Sequence, residues 1–320
     1  MSKDLYEIII VDDSSTDNTY DIALHYSENE TGVRCYRLRK NSGPGIARNK
    51  GIQQAKGRFI LFLDGDDLLP KYALKELGEI VVKQQADVIT FNWAYFNGTK
   101  NSKNLEPQRR DLKRFPDKKM ELIRRFLSMN FDGSVIYTMT SKKLLEDNAI
   151  RFTEGLHEDI PVIFKIYYYA KNLYIENKVM YLKRDRIGSI VNTISKEHID
   201  GYFSSWVVLK KFISDQKGNV FMENIMQFYM KGITGLIAIS LLKNMAVNVS
   251  DPLMKNDIYL VIYQSIKLYF LSDIKTYSLP KKTKYDNLAN RFYKSFMENE
   301  GDYEFAANYF ENKANLLKLI

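Results

Sequence analysis

Two groups of acidic side chains stand directly after apolar runs that have the composition of β-strands. Asp12 and Asp13 follow Ile8–Val11, and three aspartates within residues 64–67 follow an apolar run that ends at Leu63. In an open α/β sheet, ligands bind where the carboxyl ends of the strands meet. Three carboxylates in four residues repel one another unless a cation lies among them, and Mg²⁺ or Mn²⁺ suits such oxygen ligands. The pattern therefore favours a divalent ion that binds substrate phosphates.

A purely structural interpretation of these acidic residues also exists. Aspartate is a favoured helix N-cap, and acidic residues in the first turn match the helix dipole. Residues 64–67 precede a predicted helix near Pro70, and Glu158 and Asp159 stand just ahead of Pro161, a residue type favoured at the first helical position. Spacing alone leaves both interpretations open.

The elements that must position these carboxylates are indicated by alternating apolar runs and amphipathic helical patterns, which are typical of a parallel sheet with crossover helices. The predicted strands cover residues 6–11, 33–38, 58–63, 87–92 and 173–182. Four helices are predicted. The first ends near Tyr26 and the second near Ala55, and the other two cover residues 71–85 and 160–170. Residues 97–119 are polar and basic without clear periodicity, which favours a loop or insertion.

Beyond about His198 the apolar residues recur at helical spacing and hairpin signals disappear. We therefore predict an α/β domain over residues 1–199 and an all-helical C-terminal region over residues 200–320. The apolar stripes of that region are interleaved with lysines, so they suit either packing on the first domain or peripheral association with a membrane surface.

Composition excludes several classes of protein. An apolar fraction of 45% with 13% aromatic residues excludes a disordered chain, and the single cysteine, Cys35, excludes an internal disulfide and favours a reducing, cytoplasmic setting. No apolar stretch approaches the roughly 20 residues of a membrane span. Residues 100–151 hold 13 Lys and Arg against seven Asp and Glu, so the net charge of +8 is largely local. This local excess favours an anionic substrate over a nucleic acid.

Five stretches, in the right order, resemble a known family. Ile8–Asp17, Asn41–Asn49 and Phe62–Asp67 are similar to the family 2 glycosyltransferases of the GT-A fold, a Rossmann-like, mostly parallel α/β arrangement that binds nucleotide-diphospho-sugars. Glu158-Asp159 and Arg184–Ile190 resemble that family's acidic pair and its arginine-containing closing loop.

The resemblance implies inverting transfer of a sugar from a nucleotide-diphosphate donor, with a UDP-sugar preferred. The acceptor would be a hydroxyl of a glycan or lipid-linked molecule in bacterial surface polysaccharide synthesis. We expect the protein in the cytoplasm, with the inner face of the membrane as an alternative location. Asp66 and Asp67 would hold Mg²⁺ or Mn²⁺. Asp159 would be the general base, with Glu158 beside it. The residues implied in binding the nucleotide sugar are Asp12, Asp13, Arg48, Asp64, Arg184 and Arg186.

These parts suit the chemistry of the reaction. The departing nucleoside diphosphate gathers negative charge that a divalent cation and arginines neutralise. The attacking hydroxyl becomes a good nucleophile only when a carboxylate takes its proton.

The family pattern normally opens with one further strand and helix, which take about thirty residues, whereas five residues precede Tyr6. We therefore expect an N-terminally shortened domain whose neighbouring strands lack a partner. Two other interpretations are an inactive glycosyltransferase-like scaffold and a phosphohydrolase of the haloacid dehalogenase type. The phosphohydrolase motif places Asp-x-Asp after a strand, as in Asp64-Gly65-Asp66. Two residues after the second aspartate it has Thr or Val, whereas this chain has Leu68.

Overall fold

The computed structural model describes residues 5–96, 107, 118–127, 133–184 and 196–216. The chain divides into two compact units, one formed by Met1–Ile123 with Phe131–Arg186 and the other by Arg124–Asn130 with Ile187–Ile320. The carboxylates predicted to form the site all belong to the first unit.

Each strand and helix predicted over residues 6–182 is present, with ends that differ by at most four residues, and the structure adds one strand and two helices that were not predicted, at residues 138–141, 118–127 and 142–147. The strands are β1 (Ile8–Asp12), β2 (Val33–Arg37), β3 (Phe59–Leu61), β4 (Val88–Phe96), β5 (Thr138–Ser141) and β6 (Leu173–Arg184). The helices are α1 (Thr19–Asn29), α2 (Pro44–Gln54), α3 (Ala73–Gln84), α4 (Lys118–Leu127), α5 (Lys142–Asp147), α6 (Asp159–Tyr169) and α7 (Lys196–Asp215).

Helix α7 is the described part of the predicted helical region, and residues 217–320 lie outside the described residues. The predicted boundary between residues 199 and 200 falls within α7 and stays a prediction. None of the helices in the described ranges combines the length and apolar character needed to cross a bilayer.

The strands form two sheets. β1 and β2 are parallel, from the pair Ile8 and Val33 to the pair Asp12 and Arg37, and α1 and α2 pack on them. The second sheet has the order β3-β5-β4-β6, in which β4 and β6 are parallel and β5 is antiparallel to both of its neighbours. The sheet is therefore more mixed than expected, because the short strand β5 returns between β3 and β4.

No ladder of hydrogen bonds joins β1 to β3 within the ranges that the structure describes. β1 is also incompletely covered, since Ile8 remains 46% exposed. The expected shortening of the domain at its N-terminus stays a prediction.

The core of this unit lies around β4 and α6. β4 is buried from Val88 to Ala94, as expected for a strand covered on both faces. α6 carries apolar side chains on all sides, which is typical of a buried helix, and Val162, Ile163 and Phe164 are almost fully enclosed. Because α6 is fixed in the core, the two acidic residues at its start have a defined position.

Candidate active site

The acidic loop, residues 64–67, is attached to the end of β6. The hydroxyl of Tyr181 donates to Asp67 Oδ2 over 2.6 Å, and the backbone N–H of Arg184 donates to Asp67 Oδ1 over 2.8 Å. Just after the loop, Leu68 and Leu182 exchange two backbone hydrogen bonds of 3.0 and 2.9 Å. The loop comes directly after β3 in the chain, and these hydrogen bonds also hold it against β6.

Asp67 is buried, with 7% of its surface exposed. Burial raises its pKa, the hydrogen bonds from Tyr181 and Arg184 oppose this, and the charges of Asp66 and Asp64 add to the increase, so that the pKa lies above its usual value. Burial and the charge of Asp64 also raise the pKa of Tyr181. Tyr181 therefore remains a neutral phenol that can donate to the carboxylate.

Arg48 of α2 lies between two of the predicted site carboxylates. Its Nη2 is 3.0 Å from Asp64 Oδ1 and its Nη1 is 2.5 Å from Glu158 Oε1. The guanidinium carbon is also 5.6 Å from the centroid of the Phe152 ring. Burial alone would lower the pKa of Arg48, but the charges of Asp64, Glu158 and Asp159 outweigh it and raise that pKa. Arg48 thus joins the acidic loop to the start of α6 by charge-assisted hydrogen bonds.

The two acidic residues at the start of α6 differ in environment. Glu158 is 6% exposed, and its pKa is raised by burial and by the charge of Asp159, while Arg48 acts in the opposite direction. Asp159 is partly exposed and accepts a hydrogen bond of 2.8 Å from the hydroxyl of Ser134. Both stand at the N-terminus of α6, where the helix dipole favours negative charge. The structural and the chemical interpretation of this pair are therefore compatible.

The pair at the end of β1 organises local backbone. The buried carboxylate of Asp12 accepts hydrogen bonds from the backbone N–H of Ser15 and lies 3.2 Å from Arg37 Nε. Asp13 accepts the backbone N–H groups of Ser42 and Gly43, both over 2.7 Å. Asp13 thereby fixes the turn that begins α2, the helix that carries Arg48. The predicted contacts of both aspartates with a nucleotide stay predictions.

Helix α2 approaches the segment 152–158 very closely. A Cβ at Gly45 would lie 2.6 Å from the carbonyl oxygen of Thr153 and 2.7 Å from Cγ of Glu158. One turn later, the side-chain amide of Asn49 donates to Phe152 O over 2.9 Å and accepts from Phe152 N over 3.0 Å. Gly43, at φ +84°, and Pro44 at the helix start supply the sharp turn into α2. These contacts set the distance across which Arg48 reaches Glu158.

Arg184 lies against the acidic loop. Its Nε donates to the backbone oxygen of Asp66 over 2.8 Å, and its guanidinium carbon is 5.0 Å from the centroid of the Phe96 ring. Arg186 lies outside the described residues. Asp66 is partly exposed on the same loop.

Within the described part of the chain, no cluster of three or more His, Cys, Asp or Glu side chains is arranged as a metal site. The carboxylate oxygens of Asp64 and Asp66 are nevertheless the kind of ligand that Mg²⁺ and Mn²⁺ accept when water and phosphate oxygens complete the coordination. The chemistry of this donor set fits the implied cation.

Tyr181 and Ser134 are two contributors to the site that the sequence did not reveal. Tyr181 lies in a short apolar run of β6 and Ser134 in a stretch without periodicity, so neither belongs to a recognisable motif. The one local signal for Tyr181 is a phenol hydroxyl within the apolar run Val179–Leu182.

Comparison with known proteins agrees with the resemblance in the sequence. Residues 2–147 match the model of "Glycosyl transferase family 2". The chain is 31% identical over 192 residues to poly(ribitol-phosphate) beta-N-acetylglucosaminyltransferase TarS of Staphylococcus aureus, a match that covers 57% of this chain and 31% of TarS. It is 23% identical over 264 residues to the cholesterol galactosyltransferase of Borreliella burgdorferi, covering 78% of this chain and 70% of that protein.

Solved structures agree on the fold. The crystal structure of S. aureus TarS residues 1–349 in complex with UDP-GlcNAc superposes with a TM-score of 0.69 at 19% identity, over 99% of this chain and 84% of that one. The complex of the same fragment with UDP gives a TM-score of 0.65, also at 19% identity and with the same coverage. The fold is therefore that of the GT-A proteins. The chain spans about a third of the full length of TarS.

Gly45→Ala tests the close approach of α2 to the segment 152–158. The added methyl group must displace backbone, so we expect the free energy of unfolding to fall by about 1–3 kcal/mol in urea denaturation. Gly51→Ala in the same helix is the matched control, because its Cβ would meet only Val11 Cγ2 at 3.9 Å. Higher helix propensity should make that variant more stable by up to about 1 kcal/mol. Equal shifts of both variants would contradict the close approach.

Arg48→Met tests the bridge between Asp64 and Glu158. Removing the cation leaves the buried Glu158 unpaired, so the free energy of unfolding should fall by about 3 kcal/mol. Adding Glu158→Gln should recover part of that loss, which a double-mutant cycle measures as a coupling energy.

Lys143→Met is the control for Arg48→Met, because Lys143 is 81% exposed in its pair with Asp147. It should change the free energy of unfolding by less than about 1 kcal/mol.

The double-mutant cycle has one contradicting outcome. If the effects of Arg48→Met and Glu158→Gln on the free energy of unfolding simply add, the Arg48–Glu158 ion pair does not contribute the stability assigned to it.

Proposed function

We propose that this chain, which carries a glycosyltransferase family 2 domain in a GT-A fold, transfers a sugar from a nucleotide-diphosphate donor to an acceptor hydroxyl. The anomeric configuration would be inverted. The observation that carries the proposal is the Arg48 bridge, which ties the acidic loop at Asp64 to the start of α6 at Glu158. Carboxylates suited to a metal-bound diphosphate and a carboxylate suited to proton transfer therefore belong to one connected arrangement.

The donor would bind at the acidic loop. Asp64 and Asp66 offer partly exposed carboxylates there, and Arg184 adds a positive charge beside the backbone of Asp66. A Mg²⁺ or Mn²⁺ ion held by this loop would supply positive charge to the departing diphosphate. Solved structures of TarS contain UDP-GlcNAc and UDP, which supports a UDP-sugar as the donor of this chain. Arg186, which the sequence adds to this group, would face the phosphates.

Asp159 is the better candidate for the general base. Glu158 is buried and is held 2.5 Å from Arg48, so its carboxylate is committed to an ion pair. Asp159 is partly exposed, and Ser134 orients it with a neutral hydrogen bond. An attacking hydroxyl can reach a partly exposed carboxylate, which can then take its proton. Glu158 would contribute through its bond to Arg48.

The acceptor would be a glycan or lipid-linked molecule in the synthesis of a surface polysaccharide. The names of relatives support this class, since TarS acts on poly(ribitol-phosphate) and a further relative from Bacillus subtilis is named for teichuronic acid biosynthesis. Both are acidic polymers, and the basic excess of residues 100–151 suits such an acceptor. The chain would act in the cytoplasm, at the inner face of the membrane.

A pair of substitutions tests the roles of Asp159 and Asp66. Asp159→Asn should lower the rate of UDP release from UDP-GlcNAc by about 10²–10⁴-fold, because general-base catalysis is lost, while the affinity for UDP with Mn²⁺ stays near that of the parent chain. Asp66→Ala should weaken Mn²⁺-dependent UDP binding by about 10- to 100-fold or more. Loss of a residue that only supports a metal ligand already costs that much, and Asp66 would be a ligand itself. Isothermal titration calorimetry and a chromatographic assay of UDP measure the two effects.

Glu154→Gln is the control for these two variants, since Glu154 is exposed and lies five residues before Asp159. It should change neither quantity. Equal loss of UDP binding in the Asp159 and Asp66 variants would contradict the assigned roles, and a parent chain that binds no UDP with Mn²⁺ would favour the scaffold interpretation.

A further inference from the structure

Both carboxylate oxygens of Asp67, in the acidic loop, are engaged by β6. Tyr181 donates to one oxygen and the backbone N–H of Arg184 to the other, at 2.6 and 2.8 Å. These hydrogen bonds occupy one acceptor site on each oxygen, and only 7% of the surface of Asp67 is exposed, so a cation reaches it less easily than it reaches the partly exposed Asp64 and Asp66. Its position suits a residue that holds the loop rather than one that binds the metal.

The hydroxyl of Tyr181 connects both ends of the loop. It donates to Asp67 and accepts the backbone N–H of Asp64 over 3.2 Å, while Asp67 N donates to Asp64 O over 3.1 Å. One oxygen atom therefore fixes the first and the last residue of the loop. The backbone of Asp66, which lies between them, can move only as far as these bonds permit.

Tyr181 is itself rigidly held. It is fully buried, and its ring packs edge-on against Tyr137 with the centroids 5.3 Å apart. The ring of Tyr137 in turn stacks on Trp93 of β4, with the centroids 5.0 Å apart and the planes within 6° of each other. Register shifts between β4 and β6 bring Trp93 opposite Tyr181, and bulges of this kind redirect side chains near functional sites. The hydroxyl group is therefore presented to the loop from the core of the sheet.

The same carboxylate also orients Arg184. Asp67 accepts the Arg184 N–H, and Arg184 Nε donates to the carbonyl of Asp66, so the backbone and the side chain of Arg184 are both bonded to the loop. The distance between the carboxylates of the loop and this guanidinium is consequently set by Asp67. A diphosphate held by both groups would require that distance to be fixed.

We propose that Tyr181 and Asp67 are positioning residues that fix the acidic loop against the end of β6, so that Asp64 and Asp66 face the cation and Arg184 faces the diphosphate. This inference rests on the proposed function of the site and assigns Asp67 a role other than metal ligand. Supporting partners of metal ligands typically contribute 10- to 100-fold to metal affinity.

The test is Tyr181→Phe, which removes one hydroxyl and keeps the ring. Titration of the full chain with Mn²⁺ in the presence of UDP, followed by the electron paramagnetic resonance signal of free Mn²⁺, should give an affinity about 10- to 100-fold weaker than that of the parent chain. Binding of UDP in EDTA should change little. A purely structural role of the hydroxyl would lower the melting temperature without changing the Mn²⁺ affinity.

The matched control is Tyr167→Phe, since this buried hydroxyl lies 3.3 Å from Thr90 Oγ1 and 3.4 Å from Thr138 Oγ1 and makes none of the loop contacts described above. It should lower the melting temperature to a similar extent and leave the affinity for Mn²⁺ intact. Asp67→Asn provides a second variant. Its amide nitrogen would face one of the two donors, the Tyr181 hydroxyl or the Arg184 N–H, so one hydrogen bond would be lost. This variant should weaken Mn²⁺ binding as Tyr181→Phe does.

Loss of Mn²⁺ affinity in Asp67→Asn with parent-like affinity in Tyr181→Phe would overturn the inference, because it would indicate that Asp67 is a direct ligand. Parent-like affinity in both variants would overturn it as well. If the parent chain itself binds no UDP with Mn²⁺, the proposed function fails first, and the two failures are thereby distinguished.

Discussion

The site depends on one buried cation that two carboxylates share. Arg48 comes from α2, whereas Asp64 follows β3 and Glu158 precedes α6, so three separate parts of the chain meet at one guanidinium. A buried charge is costly unless it is paired and hydrogen-bonded, and removing one partner exposes that cost. Arg48 reaches this point because Gly45 lets α2 approach the segment 152–158 closely, and because Asn49 holds α2 there with two hydrogen bonds to Phe152.

The adjacent acidic residues of the site follow one pattern. In the pairs Asp12-Asp13, Asp66-Asp67 and Glu158-Asp159, one carboxylate is buried and its neighbour is partly exposed. Each buried member is stabilised by a specific donor: Arg37 for Asp12, Tyr181 for Asp67 and Arg48 for Glu158. A buried carboxylate oxygen without such a partner would cost free energy. The buried members thus fix the backbone, and the exposed neighbours carry the chemistry in the proposed function, except for Asp13, which fixes the start of α2.

Much of this arrangement could be predicted from the sequence, because strand ends, helix starts and turn glycines are local signals. The run Ile8–Val11, the turn at Gly43-Pro44 and the acidic loop all lie where their residue types indicate. The partners of the buried carboxylates could not be predicted, since Tyr181 is 114 residues from Asp67 and reaches it through irregular register between β4 and β6. β5 was missed for a different reason, because Thr-Met-Thr-Ser is too short and polar to indicate a strand.

We infer that the acidic loop, the end of β6 and the start of α6 form one binding site joined through Arg48. Hydrogen–deuterium exchange, measured by mass spectrometry on the chain with and without UDP and Mn²⁺, tests it most directly. We expect slower exchange in peptides that cover residues 62–68, 180–184 and 155–160 together, and a smaller effect when EDTA replaces Mn²⁺. Slower exchange confined to other peptides, or unchanged exchange in residues 62–68, would show that these three segments do not form one binding site.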